Sequence, residues 1–574
     1  MIKNQLNINP CLRVGMISIA FILSIALAVY SQAAASHLQF EISFSPEIQK
    51  QPVTGRMFLI IATDDSREPR LQIGGWKNGP PLFGVDVNQL EPGASVLIDD
   101  SVLGYPLRSL AEIPAGDYYV QALFNVYTEF HRADGHTIWA HMDQWEGQHF
   151  NRSPGNFISK VEKMHLDPAK GKSIKLKLTQ VLPPVDIPED TPWVKRIKIK
   201  SELLTKFWGH PIYLGATVLL PKGYDTHRDV YYPVEYVQGH FHLSTPHGFS
   251  TKKSVISKER RQKLLANHDE TDYDFYQAWN SDNFPRMISV TFQHPTPYYD
   301  DSYAVNSANN GPYGDAIMQE LIPYIENHFR IIQKPYARVI SGGSTGGWEA
   351  LALQVYHPDF FGGAWVFYPD PVDFRQWGLV NIYEDDNAFF LKAGKWRTVD
   401  RPMHRTVKGQ PENTIREVSW FERVLGSHCR SGQQLAIWEA TYGPVGEDGY
   451  PKPLWDPATG KIDHTVSSYM KKHGYDLRSY LETHWSTIGA KLQGKLRFYC
   501  GDMDNWYLNL GVYRLQDFLE HTQDPYYDGS FEYGRPMKKH GWQPMPDSEL
   551  IRMMAQHILS RTPREESPVK WEYN

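Results

Sequence analysis

One stretch near the middle of the chain constrains the fold more than any other. Val339 and Ile340 are typical of the end of a buried strand, and residues 342–346, Gly-Gly-Ser-Thr-Gly, match the pattern G-x-S-x-G. Apolar residues then recur at helical spacing over residues 348–356. A sharp turn between a strand and a helix presents its serine at the carboxyl end of a parallel sheet. We therefore predict that Ser344 is a nucleophile standing clear of the sheet.

Length and composition indicate a folded protein of more than one domain. The chain has 574 residues, too many for one ordinary core, and 41% of them are hydrophobic against 22% charged. A formal charge of −6 and the lack of a long Lys/Arg run argue against a nucleic-acid partner. The 17 Trp, 33 Tyr and 26 Phe exceed what a core needs, so some could line a pocket.

The N-terminus has the pattern of a secretory signal peptide. Lys3 and Arg13 precede an apolar run, residues 14–30, and small residues follow up to Ala35. We predict a signal peptide over residues 1–35, a secreted or periplasmic location and no stable membrane anchor after cleavage. The alternative is an uncleaved anchor, because the apolar run approaches the length that spans a bilayer.

Two cysteines, Cys429 and Cys500, lie outside the predicted signal peptide. In an oxidising compartment they could form a disulfide. Two cysteines that lie far apart in sequence are weak evidence for a disulfide, and neither cysteine has the spacing of a metal site.

Short alternating segments separated by Pro, Gly and Asp follow, over residues 38–180. They predict an all-β sandwich of the Ig-like kind, which would pack against the next domain or bind a carbohydrate or a surface. Residues 181–193 carry four prolines and predict a stiff linker.

Strand and helix patterns alternate in residues 194–563, which predicts an α/β domain with a mostly parallel sheet. The alternation of strand and helix patterns stops at about residues 375–493, where we predict a lid-like insertion over the carboxyl edge of the sheet. Residues 564–574 form a charged tail.

A serine nucleophile needs a base, and His540 lies in the loop before the last predicted helix, where a hydrolase of this topology carries it. Lys538 and Lys539 precede it, and we expect their charges to discourage protonation of the resting imidazole.

The orienting acid should follow a late strand. Asp502 and Asp504 both come just after the strand that ends at Cys500. We favour Asp504, because some loop residues are needed to reach the histidine, and Asp502 is the fallback. Asp370 or Asp373, after the preceding strand, is a third option.

The oxyanion hole needs two backbone N–H groups. We expect one from Thr345, after the nucleophile, and one from the loop after the strand 234–237, where His240 or Phe241 is the favoured donor over Gly239. A zinc site at His240, His242 and His247 is the weaker interpretation of the same loop, and we expect no metal and no cofactor.

These residues carry a family resemblance. The chain is similar to the enterochelin esterase-like (esterase D type) branch of the α/β-hydrolases over about residues 200–375 and 494–560. The resemblance implies an α/β-hydrolase fold and cleavage of esters through an acyl-serine. The motifs that carry it are residues 219–225, 232–237, 309–315, 320–326, 342–347 and 540–542. The chain departs from the family in its Gln-Gly-His-Phe oxyanion loop, its large insertion and its long β domain.

The sequence thus predicts a secreted serine hydrolase of carboxylic esters, with a small-molecule or glycan-linked ester as substrate. A peptidase or an acyltransferase would need the same three residues. The competing class is a protein that binds a siderophore or a glycan without turnover.

Overall fold

The computed structural model describes residues 37–266 and 269–573. The predicted signal peptide, residues 1–35, lies outside them. Within the described part of the chain, we find no helix with the length and apolarity that crossing a bilayer requires.

The first region, up to Val181, is built from β-strands. Hydrogen bonds join them into a ten-stranded sheet in the order β4-β1-β10-β8-β6-β2-β3-β5, with β7 and β9 paired to β6. Phe40, Ile42 and Phe44 are buried on one side of β1, as their alternation predicts. The Ig-like sandwich itself stays a prediction. The strands are β1 Leu38–Phe44, β2 Val53–Ala62, β3 Leu82–Leu90, β4 Ser95–Ile98, β5 Gly104–Tyr105, β6 Gly116–His131, β7 Thr137–His141, β8 Phe157–Ser159, β9 Glu162–Leu166 and β10 Lys172–Val181.

A second sheet follows an extended linker that has no regular structure over residues 182–193. Its eight strands lie in the order β11-β12-β14-β13-β17-β18-β23-β24. The first pairs, β11 with β12 and β12 with β14, are antiparallel, and the rest are parallel, so the sheet is mixed but mostly parallel. The strands of this sheet are β11 Val194–Ser201, β12 Ile212–Leu219, β13 Val234–Gln238, β14 Ile288–Gln293, β17 Arg338–Gly343, β18 Gly363–Phe367, β23 Leu496–Gly501 and β24 Ser530–Gly534. Separate two-stranded sheets are formed by β15 Asn306–Ser307 with β16 Gly311–Pro312, β19 Phe390–Lys392 with β20 Thr398–Asp400, and β21 Pro402–Arg405 with β22 Pro411–Thr414.

The helices match the sequence pattern closely. Residues 313–328 are helical, as the spacing of Ile317, Leu321, Ile322 and Ile325 predicts, with a π-helical turn over Ile317–Leu321 inside them. The helix after the serine begins at Thr345, three residues before the predicted start, because the turn glycines are part of it. The α-helices are Gly75–Asn78, Glu202–Trp208, Lys258–Ala266, Asp272–Trp279, Tyr313–Ala316, Ile322–His328, Thr345–Tyr356, Ile415–Leu425, Gln434–Tyr442, His464–Lys472, Leu477–Leu492, Asn509–Glu520 and Asp547–Arg561.

The segment between β18 and β23 adds no strand to the eight-stranded sheet in the described chain. It holds two small hairpins, β19-β20 and β21-β22, and four of the helices. Its position in the chain is that of the predicted insertion, and its function as a lid stays a prediction.

The first region supports this insertion directly. Phe58, Ile60 and Leu123, on one face of the ten-stranded sheet, form a buried cluster with Phe421 and Val424 of the helix Ile415–Leu425. Buried apolar area is the main source of stability here, so sheet and helix hold each other in place.

A buried arginine adds hydrogen bonds to the same interface. Arg56 Nε donates to the carbonyl oxygen of Val424 over 3.0 Å, and its Nη1 lies 2.6 Å from Asp86 Oδ1. The Arg56 charge therefore has both a carboxylate and a carbonyl partner, as a buried guanidinium needs.

The two cysteines do not pair. Cys429 and Cys500 are both free thiols, and Cys500 is buried in β23.

Phe421 provides a test of this interface. Phe421→Ala removes a side chain that is 4% exposed, and we expect it to lower the free energy of unfolding by about 3–5 kcal/mol. Trp396→Ala is the matched control, because Trp396 is 89% exposed and its loss should change stability by less than about 0.5 kcal/mol. Urea unfolding measures both values, and equal effects of the two substitutions would contradict the packing described here.

Candidate active site

Ser344 occupies a strained turn at the carboxyl end of β17. Its φ is 59° and its ψ is −123°, in a region that L-residues with a side chain rarely adopt. The N–H of Ser344 donates to the carbonyl oxygen of Phe367 over 3.1 Å, and the N–H of Asp370 donates to the Ser344 carbonyl over 3.1 Å. These bonds to the end of the neighbouring strand β18 hold the turn in place.

The glycine at position 346 is required by close packing. A Cβ atom there would lie 2.1 Å from the carbonyl oxygen of Gln238 and 2.9 Å from Cα of Gly239. The first turn of the helix Thr345–Tyr356 therefore rests directly on the end of β13 and on the loop that follows it.

His540 meets the serine from the far end of the chain. Its Nε2 lies 3.0 Å from Ser344 Oγ, and its Nδ1 lies 2.7 Å from Asp504 Oδ2. The His540 N–H donates to Asn505 Oδ1 over 3.2 Å, and the ring of Tyr368 packs edge-on against the imidazole at 4.8 Å. The carboxylate and the Tyr368 ring thus orient the imidazole, and the backbone bond holds its loop.

Asp504 is the carboxylate that reaches the imidazole. It is fully buried, and its Oδ1 accepts the N–H groups of Trp506 over 2.8 Å and Leu508 over 3.3 Å. Asp502 instead accepts the N–H groups of Met537 and Lys538, so it holds the histidine loop without touching the ring.

The pKa of His540 lies above its ordinary value of 6.5. Burial opposes the charged form, but the charge of Asp504 and its hydrogen bond outweigh burial and favour the imidazolium. The expectation that Lys538 and Lys539 keep the imidazole neutral is therefore wrong in direction. A buried carboxylate in contact acts more strongly than solvated ammonium groups nearby.

The predicted oxyanion donors lie around the turn. Thr345 is the first residue of its helix, so its N–H has no acceptor within that helix. His240 lines the same cavity as Ser344, whereas the ring of Phe241 packs against Trp145 at 5.3 Å.

A comparison with known families agrees with this geometry. Residues 214–418 match the model of the family described as "Putative esterase". Residues 214–418 are thus similar to this esterase family. The match confirms the resemblance found in the sequence and supports hydrolysis of carboxylic esters. It includes Ser344 and ends before Asp504 and His540.

Solved structures with some similarity are also esterases and serine hydrolases. A ferulic acid esterase is 17% identical over 64% of this chain and 98% of its own, with a TM-score of 0.31. The fluorophosphonate-binding serine hydrolase F of Staphylococcus aureus is 16% identical over 64% and 98%, with a TM-score of 0.32. An S-formylglutathione hydrolase from Agrobacterium tumefaciens is 13% identical over 65% and 97%, with a TM-score of 0.33. No curated protein sequence matches the chain.

The esterase has a cavity of about 190 Å³ beside Ser344. Of the six tryptophans that the sequence places in the insertion, Trp377 and Trp438 line it, while Trp396 is exposed. The other lining residues are His240, Ser344, Asp370, Gly378, Met403, Gln434, Trp506 and Leu508.

The sequence offers Asp370 only as a third option for the orienting acid, but the structure places it in the site. It follows β18 directly, is buried, and places Oδ1 3.5 Å from Ser344 Oγ. Its position after a parallel strand was a signal for it, since such edges carry functional side chains. Asp373, the other acid considered after β18, is buried and pairs with Arg375, away from His540.

The histidines of the oxyanion loop do not form the zinc set considered above. His240 Nδ1 lies 3.1 Å from Asp300 Oδ1 and 3.2 Å from Asp301 Oδ2, and His247 pairs with Glu235. Among the described residues, the one compact group of possible metal ligands is His240, Asp300 and Asp301. Burial lowers the pKa of His240, but the two carboxylates outweigh burial and raise this pKa well above 6.5.

Proposed function

We propose that this esterase is a secreted serine hydrolase that cleaves carboxylic esters through an acyl-serine intermediate. Ser344 is the nucleophile, His540 the base and Asp504 the orienting acid. The observation that carries the proposal is the unbroken line of hydrogen bonds from Ser344 Oγ to His540 and on to Asp504, at 3.0 and 2.7 Å.

In this mechanism His540 Nε2 takes the serine proton as Oγ attacks the ester carbon. The imidazolium then gives the proton to the leaving alcohol. A water molecule, activated by the same imidazole, releases the acid and restores the serine. The buried charge of Asp504 stabilises the imidazolium that forms in each half of the cycle.

The negative charge that develops on the ester oxygen needs preorganised donors. We assign these to the N–H of Thr345 and to an N–H of the loop at His240 or Phe241. The close contact of Gly346 with Gln238 supports this assignment, because it brings that loop against the turn that carries the serine.

Secretion is proposed from the signal-peptide pattern alone, and the lid role of the insertion from its tryptophans in the cavity wall. The substrate is a small-molecule or glycan-linked ester. A peptidase or an acyltransferase would use the same three residues, and ligand binding without turnover is the alternative that the next experiment separates.

A fluorophosphonate probe tests the nucleophile. We expect it to label the native protein at Ser344 and to abolish ester hydrolysis, and Ser344→Ala should show neither labelling nor turnover. Thermal unfolding of the variant verifies that it is folded. Intact labelling of Ser344→Ala would refute the assignment, and a folded native protein that is not labelled would favour a binding protein.

The pH dependence of kcat/KM tests the acid. Catalysis requires the neutral imidazole, so kcat/KM should fall as the pH drops through the pKa of His540. Because this pKa is raised, we expect the acidic limb of the pH profile to lie above pH 6.5. Asp504→Asn removes the charge that favours the imidazolium, so we expect the limb to move to lower pH and the rate to fall on the order of 10²- to 10⁴-fold.

Asp502→Asn is the matched control, because Asp502 bonds only backbone N–H groups and not the imidazole. The limb should keep its position in this variant. If Asp502→Asn shifted the acidic limb of the pH profile and Asp504→Asn did not, Asp502 would be the residue that orients His540, and the assignment of Asp504 would be wrong.

A further inference from the structure

Asp370 is held in one orientation by three donors to a single oxygen. Its Oδ2 accepts hydrogen bonds from Tyr303 OH over 2.5 Å, from Thr345 Oγ1 over 3.1 Å and from Gln434 Nε2 over 3.1 Å. The side chain is 4% exposed. Burial raises the pKa of the Asp370 carboxyl above its ordinary value, whereas the hydrogen bonds from Tyr303 and Thr345 favour its ionised form. The three donors together leave the side chain no freedom to rotate.

The other oxygen keeps acceptor capacity. Ser344 Oγ lies 3.5 Å from Asp370 Oδ1, at the outer limit of a hydrogen bond, while His540 Nε2 is closer to the hydroxyl at 3.0 Å. A hydroxyl has one proton, and in the nucleophile that proton points to the base. In the described chain no other donor lies within hydrogen-bond distance of Oδ1. A nearly buried carboxylate oxygen in this state favours a ligand that donates to it.

The cavity next to Asp370 is placed to receive the acyl half of the ester. The leaving oxygen must lie beside His540 Nε2 to be protonated, and His540 is not among the described residues that line the cavity, whereas Ser344 and Asp370 are. The group that enters the cavity is therefore the part that stays on the serine.

Two distances limit which atom of the acyl group can carry a hydrogen-bond donor for Asp370 Oδ1. The ester carbon must approach Ser344 Oγ to about 3 Å before attack. Asp370 Oδ1 lies 3.5 Å from the same Oγ. A donor on the carbon next to the carbonyl can then reach Oδ1, whereas one at the far end of a long acyl chain cannot.

We propose that Asp370 is a specificity-determining residue that accepts a hydrogen bond from a hydroxyl or ammonium group on the carbon adjacent to the scissile carbonyl. The esterase then prefers esters of 2-hydroxy or 2-amino acids. The inference rests on the proposed function and adds the substrate class to it.

The rest of the cavity selects an apolar side chain on that acid. Its walls include Trp377, Met403, Trp438 and Leu508, and its volume is about 190 Å³. An apolar cavity of about 150 Å³ holds benzene, so a single ring fits here.

Three methyl esters that share a phenyl ring test the proposal: those of 2-hydroxy-3-phenylpropanoic acid, phenylalanine and 3-phenylpropanoic acid. The third lacks the donor and is otherwise similar in shape. We expect kcat/KM for at least one donor-bearing ester to exceed that for 3-phenylpropanoate ten- to a hundred-fold, as one charge-assisted hydrogen bond gives. The two donor-bearing esters distinguish hydroxyl from ammonium.

Two variants of Asp370 then locate the effect, with the ratio of kcat/KM values as the readout. In Asp370→Asn the three donors keep the amide oxygen in the place of Oδ2, so its NH₂ group replaces Oδ1 and repels an ammonium. The preference for the amino ester should fall below about three-fold. Asp370→Leu removes the acceptor altogether, and the preference for the hydroxy ester should be lost as well. Asp359→Asn, which changes an exposed carboxylate outside the cavity, should keep both ratios.

4-Nitrophenyl acetate is the reference substrate, because its acetyl group is too small to use the cavity. Hydrolysis of this ester without any preference among the phenyl esters would overturn the inference and leave the proposed function standing. Equal losses for all esters in the Asp370 variants, with unchanged ratios, would show that Asp370 only supports the nucleophile. A native protein that hydrolyses none of the esters would overturn the proposed function itself.

Discussion

The hydrogen bond between Ser344 Oγ and His540 Nε2 joins two residues that are 196 positions apart, and the architecture of the sheet makes it possible. The parallel strands β17, β18 and β23 end at the same edge. The first of them carries Ser344 and the last leads to Asp504. A Cβ at Gly501, the final residue of β23, would lie 2.5 Å from the carbonyl oxygens of Lys538 and Lys539, so this strand also holds the loop of His540.

The insertion lines the cavity at this edge, and the first region packs against the insertion. The ten-stranded sheet packs on the helix Ile415–Leu425, and buried Glu422 in that helix accepts the N–H groups of Leu435 and Ala436 at the start of the next helix. That next helix carries Gln434 and Trp438 into the cavity wall. The first region thus packs on a helix that is hydrogen-bonded to the start of the next helix, and that next helix carries two residues of the cavity wall.

Much of the fold could be predicted because its local patterns are strong. The alternation in β1, the apolar periodicity before β17 and the G-x-S-x-G turn each predict one local structure. The order of the motifs along the chain then indicated Ser344 and His540 as candidate site residues. The choice between Asp502 and Asp504 was harder. Both follow the same strand, and only the path of the loop decides which carboxylate meets the imidazole.

Other parts of the site depend on contacts that no local pattern encodes. The orientation of Asp370 is set by Tyr303, which lies in a loop before β15, and by Gln434, the first residue of the helix Gln434–Tyr442. The pKa of His540 follows from its burial and from the charge of Asp504, so the neighbouring lysines in the sequence gave the wrong direction. In each case the deciding partner is distant in sequence and adjacent in space.

A double-mutant cycle on kcat/KM for a simple ester tests most directly whether Ser344 and His540 act as one unit. When two residues act as a unit in one step, removing either one reduces the rate about as much as removing both. We predict that Ser344→Ala and His540→Ala each reduce the rate by several orders of magnitude, and that the double variant is no slower than the slower single variant. Losses that multiply in the double variant would contradict the account, because the two side chains would then act independently.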